Sequence, residues 1–257
     1  TRGPGLSGSL IIGLSIAKAL ALATHKSLIG VHHMEGHIFS NLIENDIEFP
    51  LLVLLVSGGH TELVLVSRLG HYEILGRTRD DAAGEAFDKV AKLLDLLPDQ
   101  GAVMGGKVVA ELAEKGNPEA IKFPRALKRD NGFDFSFSGL KTAVLNYVRQ
   151  RDEDEIADQL PDIAASFQAA VVDALVEKTI RASEHTGIKA VALAGGVAAN
   201  KSLRHRLQDE VGARNGKLYC PSPALCTDNA AMIAAAGLFH LSRGERSDLS
   251  IDVTPRL

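Results

Sequence analysis

The sequence lacks tryptophan, contains only two cysteines and has few aromatic residues, which make up 5% of its 257 positions. Cys220 and Cys226 cannot build the disulfide framework of a small secreted domain, so a reducing compartment is the simpler expectation. The sequence also has no excess of positive charge, since its net charge is −4. This value argues weakly against a general polyanion-binding protein, but it does not exclude a local basic patch on the surface.

No charge-free apolar run approaches the ~18–20 residues of a membrane-spanning helix. The nearest candidate, Leu10–Ala23, is interrupted by Gly13, Ser15 and Lys18, so we expect a buried helix and no membrane association. A signal peptide is not recognisable. Because the sequence begins with Thr1 and not with methionine, we expect a fragment or a start that lies upstream.

Apolar strands alternate with helical segments, which predicts a mixed α/β fold. Leu51–Val56 is a continuous apolar run typical of a strand buried on both faces, and Thr61–Ser67 follows as the second strand of an antiparallel hairpin. The charged segment Arg149–Asp158 indicates a solvated loop or a helix start. The other predicted strands are Ser27–Val31, Tyr72–Arg77, Lys189–Leu193 and Lys217–Cys220. The predicted helices are Gly8–Thr24, His33–Glu44, Ala82–Leu97, Lys107–Lys115, Leu140–Arg149, Ile163–His185, Ala199–Val211 and Asp228–Leu241.

Two histidines, His33 and His37, are four residues apart on a predicted helix, which places them on one face with Cβ atoms about 6 Å apart. Such a pair binds one transition metal in the HExxH pattern, although histidines also serve in packing or at the surface. Here Glu35 follows the first histidine by two residues, so the metalloprotease pattern lacks its general base. Asp228 is a candidate third ligand, but a helix cap explains it equally well.

Two histidines and one carboxylate would leave coordination positions open, which suits a catalytic metal, and zinc and iron(II) both fit. Cys220 and Cys226 are conceivable ligands. Without a second cysteine pair they are better explained as buried small apolar residues.

Glycine is abundant, with 24 residues, and two glycine pairs follow predicted strands. The turn Ser57-Gly58-Gly59 can cradle phosphate or carboxylate oxygens with its backbone N–H groups, or be an ordinary hairpin turn. Gly195-Gly196 lies between a strand and a helix, where an anion or nucleotide can bind. Asn200 follows and can contact a ribose or base, or cap the helix.

The acidic segment Asp80–Asp88 begins a predicted helix. Asp80 or Asp81 is expected to cap it, and Asp88 is either a ribose contact or a surface charge. Ser138 is expected to cap a later helix. Basic residues that can meet a phosphate backbone, or simply be solvated, are Arg125, Lys128, Arg129, Lys141, Lys201, Arg204 and Arg206.

Several motifs occur together and in a fixed order along the whole chain. They are TRGPGL (1–6), HMEGH (33–37), LVSGGHTE (55–62), DDAAGEAFDK (80–89), FDFSFSGLKT (133–142), AGGVAAN (194–200), CTDNAAM (226–232) and TPR (254–256). With these motifs the chain resembles the bacterial and organellar branch of the TsaD family.

The resemblance implies an actin/Hsp70/hexokinase-like fold with two RNase H-like lobes around a nucleotide cleft. One lobe would comprise residues 1–50, without the family's N-terminal strands and first phosphate loop, the second residues 51–227, and residues 228–257 would return to the first lobe.

The resemblance also implies an activity: transfer of threonylcarbamoyl from threonylcarbamoyl-AMP to N6 of the adenosine next to the anticodon in tRNAs that read ANN codons. It implies one divalent metal, Fe²⁺ or Zn²⁺, held by His33, His37 and Asp228. The substrate, which contains an adenine nucleotide, would be held by residues of the glycine loops and neighbouring segments, namely Leu55, Val56, Ser57, Gly58, Gly59, Asp88, Gly106 and Asn200. Implied partners are tRNA and TsaB-like and TsaE-like proteins, in the bacterial cytoplasm or the mitochondrial matrix.

The sequence departs from the family pattern in one internal segment. Leu94–Lys107 replaces a short family turn of sequence leucine-glycine-leucine, tyrosine-proline-glycine-glycine-proline and looks several residues longer. Taking Gly105-Gly106 as the matching glycine pair places Ala110 where the family commonly has a substrate-binding aspartate.

Two other functions compete with the transferase. A glycoprotein-cleaving metallo-endopeptidase, an older description of the family, is disfavoured because the HExxH glutamate is absent and peptide cleavage leaves the glycine loops unexplained. A non-catalytic nucleotide-binding scaffold is disfavoured because it would not need an open metal site.

Overall fold

The computed structural model describes residues 1–97, 104–125 and 132–256. The helices in chain order are α1 (Ser7–Thr24), α2 (His33–Glu44), α3 (Ala83–Leu93), α4 (Gly105–Ala113), α5 (Ser138–Arg149), α6 (Glu153–Thr186), α7 (Lys201–Gly212), α8 (Pro223–Cys226) and α9 (Ala230–Ser242), with a 3-10 helix at Gly196–Ala199. The strands are β1 (Leu51–Val56), β2 (Thr61–Arg68), β3 (His71–Arg77), β4 (Ala190–Ala194) and β5 (Lys217–Tyr219).

The chain divides into two compact units. Unit 1 contains Thr1–Ile47 and Pro221–Leu257, and unit 2 contains Glu48–Cys220. Pro221–Thr227, which was expected in the second lobe, lies in unit 1. The reason is local: the Ser222 backbone N–H donates to the Glu44 carboxylate at 2.7 Å, which ties α8 to the end of α2.

Unit 2 is built on one mixed sheet with strand order β3-β2-β1-β4-β5. β1 pairs antiparallel with β2 and parallel with β4, and β4 pairs parallel with β5, so the predicted mixed α/β fold is confirmed. All six residues of β1 are buried, as their unbroken apolar run predicted. Because β1 and β4 are parallel neighbours, their carboxyl ends lie at the same edge of the sheet.

Helices cover this sheet and form the rest of the core of unit 2. Phe87 of α3 and Phe167 of α6 meet edge to face, with ring centroids 5.2 Å apart, and both are fully buried. The charged segment before α6 is a helix start: Asp152 caps the helix by accepting a hydrogen bond from the Glu155 N–H at 2.8 Å.

Unit 1 centres on the packing of α2 against α9. A Cβ added at Gly36 would lie 2.7 Å from Ile233 Cδ1, so the two helices approach closely at this glycine. Phe39 and Phe239 continue this contact with ring centroids 5.4 Å apart. The segment predicted as the strand Ser27–Val31 makes only a single bridge, between Leu28 and Ser247, so this strand prediction is wrong.

The prediction that α1 is buried is also wrong. Only Leu10 and Leu14 are buried, while apolar side chains such as Ile12 and Leu20 are 65% and 60% exposed. The helix is apolar on every side, but unit 1 covers only one of them. Of the described helices, α1 is the one long and apolar enough to cross a membrane, by length and composition alone.

Candidate functional site

The two histidines lie at the start of α2, where the preceding residue caps the helix. His32 Nδ1 accepts a hydrogen bond from the Met34 N–H at 3.2 Å. His33 and His37 follow on one face, one turn apart, with ring centroids 4.9 Å apart. His37 is 1% exposed and His33 is 19% exposed, so the pair lies partly below the surface.

Asp228 completes this group from the segment before α9. Its Oδ1 lies 3.3 Å from Nε2 of both His33 and His37. It does not cap the helix, because Asn229 does so by accepting a hydrogen bond from the Met232 N–H at 2.8 Å. The capping explanation of Asp228 is therefore wrong, and its carboxylate is available to the histidines.

The electrostatics of the group suit a cation. The rings of His33 and His37, each with Nε2 3.3 Å from Asp228 Oδ1, hold the pKa of the Asp228 carboxyl well below its usual range, although burial opposes this effect. One donor atom from each of the three residues lies within 4.8 Å of the others. Within the described residues, the buried ring nitrogens of His37 lack a hydrogen bond of good geometry. A metal bound at Nε2 would satisfy one of them, so the residues fit a divalent ion.

The two cysteines do not join this group. Cys226 is buried and directs its Sγ to the carbonyl oxygens of Pro221 and Ser222, at 3.7 and 3.3 Å. Cys220 is the last residue of unit 2. Their interpretation as small packing residues fits this placement of Cys226.

In unit 2, the first glycine pair forms a tight turn between β1 and β2. The Ser57 N–H donates to the His60 carbonyl at 2.8 Å, and the His60 N–H donates to Ser57 Oγ at 3.1 Å. Gly58 and Gly59 are exposed, with open space beside them. The hairpin turn is thus present. Binding of phosphate or carboxylate oxygens by the backbone N–H groups of this exposed turn stays a prediction.

Helix α3 begins directly against this turn. A Cβ at Gly84 would lie 2.5 Å from the Ser57 carbonyl oxygen and 2.8 Å from Gly58 Cα. The first N–H of the helix, at Ala83, donates to the buried hydroxyl of Thr61 at 2.9 Å. Asp80 and Asp81 do not cap α3, so that expectation is wrong.

The second glycine pair follows β4 at the same sheet edge. Gly195 has φ +90°, and a Cβ there would collide with the carbonyl group of Val56. Leu55 and Val56 are at most 1% exposed and pair within the sheet, so they can offer a ligand only backbone groups. The ends of β1 and β4 therefore bring the two glycine loops together.

Asp88 lies half-buried on α3, where α4 begins beside it. A Cβ at Gly105 would lie 2.8 Å from both Cα and Oδ1 of Asp88. Gly106 has more room, with its nearest neighbour, Phe87 Cβ, 3.7 Å from an added Cβ. Asp88 thus faces a helix N-terminus and is not a lone surface charge. Residues 98–103, within the segment Leu94–Lys107 that departs from the family pattern, lie outside the described residues.

Asn200 acts as a helix cap. Its Oδ1 accepts a hydrogen bond from the Leu203 N–H at 3.0 Å, and its Nδ2 donates to Gln168 Oε1 at 2.7 Å. The capping interpretation is confirmed, and a nucleotide contact remains a prediction that would have to use the second amide hydrogen.

Asp80 has a role that no local sequence pattern predicted. Its carboxylate accepts hydrogen bonds from the backbone N–H groups of Phe137 and Ser138 and from the hydroxyls of Ser136 and Ser138, at 2.5–3.2 Å. It therefore caps α5, whereas Ser138 was expected to do so itself. Burial alone would raise the pKa of Asp80, but these hydrogen bonds outweigh it and lower the pKa.

The basic residues considered for phosphate binding are engaged where they are described. Arg125 and Arg206 contact Asp173, Lys141 contacts Asp81, Lys201 contacts Glu114, and Arg204 donates to the Ala198 carbonyl. Lys128 and Arg129 lie outside the described residues. Exposed ion pairs are weak, so a phosphate backbone remains a competing partner for these side chains.

Comparison with solved structures supports the fold. HypF from T. kodakarensis superposes on 90% of this chain with a TM-score of 0.70 at 17% identity. A full-length HypF, crystallised in a phosphate- and nucleotide-bound form, covers 84% with a TM-score of 0.62 at 15% identity. The chain spans 39% and 36% of those two proteins. The predicted actin/Hsp70/hexokinase-like fold is confirmed.

Comparison with known sequences identifies the family. The sequence model of TsaD, described as tRNA N6-adenosine threonylcarbamoyltransferase, matches residues 1–235. Proteins of that name are 53% identical over 253 residues in Syntrophotalea carbinolica, 52% over 252 in Geobacter metallireducens and 53% over 258 in Symbiobacterium thermophilum. These alignments cover 98%, 98% and 100% of this chain and 72%, 72% and 74% of the relatives. On these matches, which span nearly the whole chain, the protein belongs to the TsaD family of tRNA N6-adenosine threonylcarbamoyltransferases.

Proposed function

We propose that this protein transfers a threonylcarbamoyl group from threonylcarbamoyl-AMP to N6 of the adenosine next to the anticodon in tRNAs that read ANN codons. The observation that carries the proposal is the convergence of His33, His37 and Asp228 in a chain of this family. A fully buried histidine without a hydrogen bond of good geometry is costly unless another group, such as a metal, satisfies it.

One divalent metal, Fe²⁺ or Zn²⁺, would be held by His33, His37 and Asp228. Three protein ligands leave coordination positions open for substrate. When bound, such an ion supplies a Lewis acid that polarises a carbonyl group. The start of α2 places the imidazoles of His33 and His37 side by side, and the Asp228 carboxylate lies 3.3 Å from both.

The loops of unit 2 would hold the nucleotide-containing substrate. The exposed amides at Gly58 and Gly59 suit phosphate or carboxylate oxygens. Asp88 lies beside the start of α4, near Gly106, and offers a carboxylate for ribose hydroxyls. Asn200 has one amide hydrogen left after its cap and its contact with Gln168, and Leu55 and Val56 contribute backbone only.

In the reaction, the exocyclic N6 of the adenosine forms a bond to the carbamoyl carbon and loses a proton to solvent. The bond between that carbon and the phosphate oxygen breaks, and AMP leaves with the electron pair. The contribution of this chain is to position both reactants, which converts a bimolecular encounter into a reaction within one complex.

The contacts of Glu35 disfavour the peptidase alternative. Its carboxylate is 9% exposed and contacts His240 Nε2 at 2.8 Å, so it is engaged away from the pair of histidines. A metallopeptidase would need this group as the base for water. The scaffold alternative leaves the open histidine–aspartate group without a purpose.

The proposed partners follow from the family. The tRNA is the acceptor, threonylcarbamoyl-AMP the donor, and TsaB-like and TsaE-like proteins the expected protein partners. The reaction would take place where tRNA is found, in a bacterial cytoplasm or a mitochondrial matrix.

The test is transfer to an unmodified tRNA. The protein, loaded with Zn²⁺ or Fe²⁺, is incubated with synthetic threonylcarbamoyl-AMP and tRNA, with and without TsaB-like and TsaE-like proteins, and the nucleosides are analysed by mass spectrometry. We expect the modified adenosine in wild type and its loss in His33→Ala/His37→Ala. Absence of product with both partner proteins present would contradict the proposal.

Metal content in the same preparations separates the alternatives. We expect about one ion per chain in wild type and none in the double variant. Metal binding with glycoprotein cleavage and no transfer would favour the peptidase. A wild type without metal that still binds AMP would favour the scaffold.

A further inference from the structure

Glu35 lies between the two histidines in sequence but points elsewhere. Successive helical residues are rotated by about 100°, so a residue two positions on faces roughly the opposite side. There its Oε2 contacts Nε2 of His240, near the end of α9, at 2.8 Å. The other ring nitrogen of His240 contacts Glu245 Oε2 at 2.9 Å. The side chains of Glu35 and His240 are 9% and 19% exposed, so their contact is largely shielded from water.

The same two helices carry all the ligands of the proposed metal centre. His33 and His37 belong to α2, and Asp228 lies two residues before α9. Whether Asp228 reaches both histidines therefore depends on how α9 lies across α2. The contact of Gly36 with Ile233 fixes the crossing point but does not by itself fix the angle about that point.

We propose that Glu35 and His240 are a positioning pair that sets the orientation of α9 on α2 and thereby holds Asp228 against His33 and His37. Asp228 lies before the amino end of α9 and the Glu35–His240 contact lies near its carboxyl end, so the two are on either side of Ile233. The apolar contacts of Ile233 and Phe239 hold the two helices together, and the directional Glu35–His240 contact restrains their relative rotation at the carboxyl end of α9. The proposal rests on the metal centre of the proposed function.

A carboxylate–imidazole pair is well suited to this role. A contact between a carboxylate and an imidazole has a narrow geometry, and it is strengthened where water is largely excluded. The adjacent apolar contact between Phe39 and Phe239 keeps the helices together without the pair. Loss of the pair is therefore expected to change the orientation of the ligands more than the integrity of unit 1.

The test measures metal affinity and ligand geometry in the intact chain. Metal-free wild type, Glu35→Ala, His240→Ala and the double variant are titrated with Zn²⁺ in competition with a chelator. Their Co²⁺ forms are compared by visible absorption. We expect each alanine variant to bind Zn²⁺ about 10-fold more weakly, as loss of outer-shell partners does in other metal sites, with an altered Co²⁺ spectrum. The double variant should be no weaker than either single one, since both remove the same contact.

Two variants serve as controls. Glu245→Ala removes the outer carboxylate of His240, which is 48% exposed and also contacts Arg243, and should bind Zn²⁺ as wild type does. Glu35→Gln keeps an oxygen and an amide for His240 and should restore most of the affinity lost in Glu35→Ala. Should the alanine variants fail to fold, Glu35→Leu and His240→Leu, which fill the space without a polar contact, carry the test by their Co²⁺ spectra, which we expect to differ from that of wild type.

The outcomes separate this inference from the proposed function. A wild type that binds metal, with affinities and spectra unchanged in Glu35→Ala and His240→Ala, would overturn the positioning pair alone. If the alanine variants do not fold, wild-type Co²⁺ spectra in both leucine variants would overturn it likewise. A wild type that binds no metal would overturn the metal centre, and with it the pair.

Discussion

The hydroxyl of Thr61, at the start of β2, accepts a hydrogen bond from the backbone N–H of Ala83, the first residue of α3, at 2.9 Å. Both residues are fully buried. The contact anchors α3 to the strand that follows the Ser57–Gly59 turn, so it also fixes where the helix begins relative to that turn.

Replacing Thr61 by valine keeps the shape of the side chain and removes its oxygen. The Ala83 N–H then has no acceptor in a buried site, which costs about 1–3 kcal/mol of unfolding free energy. Chemical denaturation should show this loss, together with weaker binding of AMP. Thr142→Val, at an exposed position of α5, is the control and should stay within about 0.5 kcal/mol of wild type. Equal stability of both variants would contradict the anchoring role.

Gly84→Ala should destabilise the protein although alanine is the better helix former. Its Cβ would meet the Ser57 carbonyl and Gly58 Cα, and such overpacking costs about 1–3 kcal/mol. Gly139→Ala is the matched control, because Gly139 is likewise the second residue of its helix but has open space beside it. There alanine should stabilise by up to about 1 kcal/mol. Thermal unfolding of the two variants checks the opposite signs.

Gly195→Ala should abolish the close contact between the two glycine loops. Gly187 is in the left-handed helical conformation, where alanine costs about 1–2 kcal/mol, and Gly195, with φ +90° and ψ 170°, is in a region that costs other residues about 1–3 kcal/mol. Only at Gly195 would the added Cβ also collide with Val56, which adds about 1–3 kcal/mol. AMP affinity, measured by calorimetry, should fall in Gly195→Ala and not in Gly187→Ala. Unchanged AMP affinity in a folded Gly195→Ala protein would separate these loops from nucleotide binding.

Asp80 makes the stability of unit 2 depend on pH. Its pKa is lowered in the folded protein, so its contribution is present above the pKa of the unfolded state, about 3.8, and is lost as the pH falls through the folded-state value. Asp80→Asn removes this dependence. The difference in unfolding free energy between wild type and Asp80→Asn should therefore shrink as the pH falls from 6 to about 3. A difference that stays constant over this range would show that the carboxylate is not stabilised by its contacts with the start of α5.

Asp228→Asn should weaken Zn²⁺ binding more than 10-fold, because an amide oxygen is a poorer ligand than a carboxylate and cannot balance the charge of the ion. The side chain is 76% exposed, so we expect the fold to survive. Asp252→Asn, an exposed aspartate of the same unit, should bind Zn²⁺ like wild type. Chelator competition on the three proteins makes the comparison, and equal affinities would remove Asp228 from the ligand set.

Local patterns predicted the parts of the molecule that depend on neighbours in sequence. The apolar run at β1 predicted a buried strand because every side chain of a strand covered on both faces avoids water. The spacing of His33 and His37 predicted a shared face because helical geometry alone places them there. The order of the motifs predicted the family, which the close relatives confirm.

Tertiary structure decided which distant residues meet. The sequence left Asp228 between ligand and cap, and only the packing of α9 on α2 places it 3.3 Å from both histidines while Asn229 takes the cap. The apolar composition of α1 predicted a buried helix, and this prediction was wrong. Composition shows which side chains are apolar, but not whether another part of the fold packs against them. Asp80 was expected to cap the helix that follows it. It caps α5 instead, because a carboxylate accepts hydrogen bonds from the free N–H groups that the fold brings close to it. Those N–H groups lie more than 50 positions away in sequence, so only tertiary packing determines which helix Asp80 caps.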